Sequence, residues 1–278
     1  MSTPTETPAD SQTAGARTTT GLTALGMGGV PWQELLEKAY STGTLSVTGE
    51  LSGGQLLAFN DASGAQLFIL AAPPYAAYAG FDALTECEAE ISMLSDVLAL
   101  LSVHDDEGNV VCDIAANLAQ GPLLVDEPTQ LGTVNLSALG VDTHVYSDEK
   151  GFSDAGGATT GFVISHGAAV VNAGSGDTEP SAAGDVSLVV ASAEKRTNGL
   201  TGESFWHVNV DAPFPVDLCL PESAAESITK GNIVAGRVLF TASVAADTSA
   251  GGCCGGGGGC CGGGGGGCGC GGCGCGGH

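Results

Sequence analysis

DVSLVVASAEKRTNGLTGESFWHVNV, residues 185–210, decides how the chain folds. Residues 185–191 are apolar at nearly every other place and rich in Val, the composition of a half-buried strand. Residues 204–210 alternate with period two. Trp206, Val208 and Val210 then share one face, and Phe205, His207 and Asn209 the other. Between the two runs, residues 194–199 carry Glu, Lys, Arg, Thr and an Asn-Gly pair, which predicts the turn. Trp206, Val208 and Val210 are predicted to face a core shared with Leu188 and Val190.

The same pattern extends outward. Residues 55–59 and 66–70 are short apolar runs separated by Asn60, Asp61, Ala62, Ser63 and Gly64, a hairpin signature. Residues 45–49, 110–112, 161–165, 217–220 and 233–244 add further strands. Several short strands at such spacing predict a mainly β fold, a sandwich or small barrels, with one or two short helices. One helix is predicted over residues 31–40: Pro31 suits its start, Trp32, Leu35, Leu36 and Ala39 form one stripe, and Gly43 suits its end. A second helix is predicted over about residues 82–94, because Leu84, Cys87, Ile91 and Leu94 fit helical spacing in part.

Composition divides the chain. Residues 1–28 are rich in Thr, Ser, Pro, Ala and Gly and are predicted to be a disordered arm. A short helix occupies 29–43, a β-rich subdomain 44–125, a loop-rich connection 126–159 and a second β subdomain 160–246. Residues 247–278 form a Gly/Cys-rich tail, predicted to be disordered. The chain has 278 residues, with 7 Lys and Arg against 31 Asp and Glu, a formal charge of −24. Such acidity repels nucleic acid and anionic membrane, so neither is an expected partner. An unknown protein partner or self-association is expected instead. The apolar runs are too short to span a bilayer as helices, and residues 1–28 lack the basic and apolar regions of a signal peptide. A cytoplasmic location is expected, where thiols stay reduced.

The β body offers little chemistry by motif. His104, His144, His166 and His207 are scattered, without helical metal-pair spacing. Asp105, Asp106 and Glu107 suggest a calcium loop or, more commonly, an acidic hairpin turn. Cys87, Cys112 and Cys219 stand singly in apolar segments, as buried cysteines do. No nucleophile elbow or phosphate loop is present, so no motif supports an enzyme.

Residues 251–278 are different: 19 glycines, 8 cysteines and one histidine. The cysteines form adjacent pairs at Cys253–Cys254 and Cys260–Cys261, then Cys268, Cys270, Cys273 and Cys275 with one or two glycines between them. This spacing lets neighbouring sulfurs reach one ion. Thiolates select Cu(I) or Zn(II), four sulfurs complete a tetrahedral zinc, and His278 adds a nitrogen. In cysteine spacing the tail resembles a metallothionein, over 28 residues and without that family's interspersed Lys and Ser. The likeness is one of chemistry rather than membership. The expected function is a non-enzymatic soluble protein whose tail binds soft metal, with the β body as carrier or partner-binding module. Two alternatives stand beside it. One is a structural or assembly subunit of a particle or surface, with the tail as flexible linker or cross-linker. The other is a precursor whose tail cysteines are cyclised, since the Gly/Cys pattern also resembles peptides that carry thiazoles.

Overall fold

Strand β8 (Gln130–Tyr146) and strand β14 (Ile233–Val244) form the spine of the molecule. The computed structural model describes residues 21–174 and 176–245. In chain order these give α1 (Trp32–Ser41), β1 (Ser46–Leu51), β2 (Gly54–Asn60), β3 (Ala65–Leu70), β4 (Ala76–Phe81), β5 (Glu86–Met93), β6 (Leu98–His104) and β7 (Val110–Leu118). Then follow α2 (Gly121–Leu124), β8, α3 (Glu149–Asp154), β9 (Phe162–Ser165), α4 (His166–Ala173), β10 (Ala183–Val189), β11 (Ser192–Thr197), β12 (Ser204–Val210), β13 (Val216–Pro221) and β14. The fold is mainly β, with sheets and a barrel.

The barrel follows from how the two long strands share their edges. β8 and β14 pair antiparallel along almost their whole length, Val134 opposite Val244 and Tyr146 opposite Ile233. On its other edge β8 pairs first with β5, Gln130 opposite Ile91, and then with β13, Ser137 opposite Asp217. The other edge of β14 pairs with β10 and then, at Thr241 and Ala242, with β7. Since β5, β6 and β7 form an antiparallel meander, the circuit β8–β5–β6–β7–β14 closes on itself. Closure leaves these five strands no free edge where they pair.

At the opposite end of the spine, β13, β12 and β11 extend from β8, and β10 and β9 from β14. One run of chain joins the two extensions. Val190 N–H donates to the Asn232 carbonyl beside β14, and the next residue, Ala191, donates to the Asn209 carbonyl of β12. Even-numbered residues of β8, β12 and β14 fill the interior: Val134, Leu136 and Ala138; Trp206, Val208 and Val210; Val234, Val238 and Phe240. Leu188 and Val190 belong to the same core, as the alternation predicts. The opposite face of β12 is buried as well. Phe205 and His207 lie beneath a second layer, the four-stranded meander β1–β2–β3–β4.

Four expectations change. Residues 82–94 are not a helix. β5 alternates, with Cys87, Ala89 and Ile91 buried and Glu86, Glu88 and Glu90 exposed. Leu84, Cys87, Ile91 and Leu94 mimicked a helical stripe because positions three and four apart intersect a period of two. The turn of the opening quotation is also displaced. Residues 194–197 are strand β11, which pairs with β12, and the reversal is at 198–203. Residues 126–159 are not mainly loop: they contain β8, the longest strand, whose Gly, Ser and Thr occupy positions packed against neighbouring strands. No boundary falls there, and the body as far as Ala245 is one compact unit.

The fourth change concerns residues 21–28, placed by composition in the disordered arm. Leu22, Ala24, Leu25 and Met27 are fully buried, between α1, the meander and Phe205. A helical turn at 21–23 and a reversal at Gly26 (φ +67°) fold them. The 198–203 turn fastens them: Asn198 Nδ2 donates to the Leu25 carbonyl (3.0 Å), and Thr201 Oγ1 to that of Gly26 (2.6 Å). Helix α1 forms where predicted and buries Leu35 and Ala39 of its stripe. The hairpin of β2 and β3 also has its predicted turn, with Gly64 at φ +91°.

Candidate functional site

The tail ligands Cys253, Cys254, Cys260, Cys261, Cys268, Cys270, Cys273, Cys275 and His278 lie outside the described residues, as do residues 1–20 of the arm. Among the described residues, no group of three or more His, Cys, Asp and Glu is placed to hold a metal ion. Cys87, Cys112 and Cys219 are free thiols on three different strands. Burial pushes the Cys87 thiol up to about 11. Burial, then the charge of Asp113, raises Cys112. Burial, then the charge of Asp217, holds Cys219 well above the usual range against the opposing pull of Arg196. These three are therefore poor thiolates at neutral pH.

The most elaborate polar assembly in the body is centred on Asp217, which is fully buried. His207 Nε2 donates to its Oδ1 (2.5 Å), as does Asn209 Nδ2 (3.0 Å). Its Oδ2 accepts from the Leu84 N–H (3.1 Å), the Thr85 N–H (3.0 Å) and Thr85 Oγ1 (2.5 Å). The strands dictate this grouping. His207 and Asn209 are alternate residues of β12, and Asp217 and Cys219 lie opposite Asn209 and His207 on β13. Residues 82–85, which carry the chain from the meander to the barrel, supply the remaining donors. Phe81 covers the imidazole, ring centroids 4.9 Å apart. Burial alone would raise the Asp217 carboxyl. The hydrogen bonds from His207 and Thr85 and the charge of His207 outweigh it and hold the group below the ordinary carboxylate range. With His207 and Asp217 both sealed from solvent, the pair clamps crossover to sheet and presents no group to a substrate.

His207 was one scattered histidine in the sequence. The available signal was the short 211–215 connection, which sets alternate residues of β12 against alternate residues of β13. Above the clamp, residues 61–64, 82, 84 and 194–197 line an open cleft of about 670 Å³. Its cations are engaged within the protein. Arg196 donates to the Ser63 carbonyl and pairs with Glu194, and Lys195 pairs with Glu222.

The other singled-out groups do not converge. Asp105 Oδ1 accepts from the backbone of Glu107 and Asn109 and from the Asn109 amide, closing the hairpin between β6 and β7. His166 pairs with Asp185 at the surface (2.7 Å). His104, His144 and His166 are on β6, on β8 and at the start of α4, and His104 Nε2 is buried without a hydrogen-bond partner. No helix among the described residues is long and apolar enough to cross a membrane. No family model matches the chain, and no curated protein matches it.

Proposed function

We propose that this is a non-enzymatic protein of the cytoplasm whose Gly/Cys tail binds Cu(I) or Zn(II) through thiolates, with the β body as carrier or partner-binding module. One contrast supports the reading. The body's three cysteines are solitary, and burial raises all of them. The other eight of the chain's eleven stand within 23 residues, 253–275, separated only by glycine. Soft metal selects sulfur over the oxygen ligands that the acidic body supplies in excess. Glycine spacers impose no preformed site, so ordering the tail around an ion costs chain entropy, and affinity is lower than at a folded zinc site. Each thiol loses its proton on binding, so affinity falls as pH falls.

The test is an anaerobic Cu(I) titration against a competing chelator. It compares the full chain, a variant with Cys268, Cys270, Cys273 and Cys275 replaced by Ser, and a variant with all eight tail cysteines replaced. The four-fold variant is expected to lose about half the capacity or more, because four sulfurs make one tetrahedral set. The eight-fold variant is expected to lose nearly all of it. Equal capacity in the eight-fold variant and the full chain would overturn the proposal. Intact mass of the native protein separates the alternatives: loss of water marks cyclised cysteines, and cross-linked masses mark an assembly subunit.

A further inference from the structure

Beside strand β4, the meander stands away from the outer face of β14, leaving a groove of about 600 Å³. Its floor follows from the alternation of β14. Arg237, Leu239 and Thr241 are successive outward residues, since Val238, Phe240 and Ala242 point into the core. The track from Arg237 to Thr241 is about 13 Å long at strand rise. Small residues of β4, Ala76, Ala77 and Ala79, form the facing wall and keep the groove open.

The chemistry changes along the track. At its inner end Thr241 stands beside Asn117 of β7 in the parallel ladder, and both line the groove. Thr241 is only 4% exposed, and its hydroxyl makes no hydrogen bond among the described residues; nor does the Asn117 amide. Its Oγ1 faces β4, 3.5 Å from where a side chain at Gly80 would begin. The Thr241 hydroxyl and the Asn117 amide, both without a partner among the described residues, are open to the groove and available to whatever occupies it. The middle of the track is apolar, with Leu239 beside Leu139. Arg237 and Glu179 both line the groove, and the ladder neighbours of Arg237 are Asp185 and Asp142. The Arg237 end thus offers no net attraction to an anion, and an ionised head of either sign buried at the inner end, beside Asn117 and Thr241, would meet no counter-charge there.

We propose that this groove binds an uncharged ligand with an extended apolar chain and an alcohol or primary amide head, the head hydrogen-bonded by Asn117 and Thr241. Apolar walls with a few convergent polar groups are the ordinary make-up of a small-molecule site. The inference stands on the body alone and is independent of the tail.

The test is calorimetric titration of the full chain with octan-1-ol, octanamide, octanoate and octylamine. The two neutral probes are expected to bind one site, and the two charged ones at least tenfold more weakly. Ala77→Phe, which fills the groove from its wall, is expected to abolish binding. Thr241→Val keeps the side-chain shape and removes an unbonded hydroxyl, so the fold persists, with an unchanged or raised Tm. It is expected to weaken octanamide about tenfold, the worth of one hydrogen bond at the upper end of its range. The proposal is overturned if the full chain binds neither neutral probe, if octanoate or octylamine binds as tightly, or if Ala77→Phe or Thr241→Val leaves binding unchanged.

Discussion

Asp217 receives five hydrogen bonds from two other segments of chain, so its removal strips partners from a buried histidine and from the crossover at once. Asp217→Ala is expected to cost about 3–5 kcal/mol, because it leaves several buried donors without their acceptor, read by urea unfolding at neutral pH. The pH dependence has a definite sign. The folded carboxyl titrates below its unfolded value, so its contribution is complete above the ordinary carboxylate pKa, near 4. It is lost as pH falls through the folded value. Asp217→Asn is expected to destabilise the protein at neutral pH and to flatten the acid limb of its stability profile. An acid limb identical to that of the parent protein would refute the clamp. Trp206 offers a second measurement at this scale. Its ring lies in the interior and its Nε1 donates to the Ala225 carbonyl (3.2 Å), so Trp206→Ala is expected to cost roughly 3–5 kcal/mol.

Among elements, the segment 21–28 was the least legible and is among the most consequential. Its glycines and small residues match the composition of the preceding twenty, and only Leu22, Leu25 and Met27 separate it from them. Those three side chains are fully buried, so Leu25→Ala is expected to lower stability by about 2–5 kcal/mol. Asn198→Ala would leave the Leu25 carbonyl unpaired and is expected to cost about 1–3 kcal/mol. Thermal unfolding of both variants, and of the double variant, measures how strongly turn and segment depend on each other. Less than additive loss is expected, because each change loosens the same contact. The hairpin of β2 and β3 and the inward face of β12 were legible because local alternation and local turn chemistry specify them. β5 was misread because its charged residues alternate with apolar ones at spacings that also satisfy a helix. The extent of β8 was hidden for another reason: partners on both edges bury its Gly and Ser positions, and those partners lie up to about a hundred residues away in sequence. The Asp217 cluster likewise joins residues 84–85 to 207–217, a distance that no motif spans.

At the scale of the whole molecule, the core of the described residues runs from Leu22 to Ala242. Residues 251–278 hold no large apolar side chain, so the eight-fold serine variant of the tail is expected to keep the parent Tm while losing metal capacity, a pairing that scanning calorimetry and the Cu(I) titration check together. The shared spine has a further consequence, for the order in which the molecule is made. β14 is the last strand of the body, yet it joins β8, β10 and β7. Until it is in place, β7 and β8 each keep an open edge, a template for pairing with another chain. Local hairpins such as β2–β3 and β5–β6 form early at little entropic cost, whereas closure waits on the most distant pairing in the fold and is slow. During synthesis the nascent body is thus an open, edge-exposed sheet until residue 244 has been added, and any shortfall at that end converts a closed barrel into an aggregation-prone one.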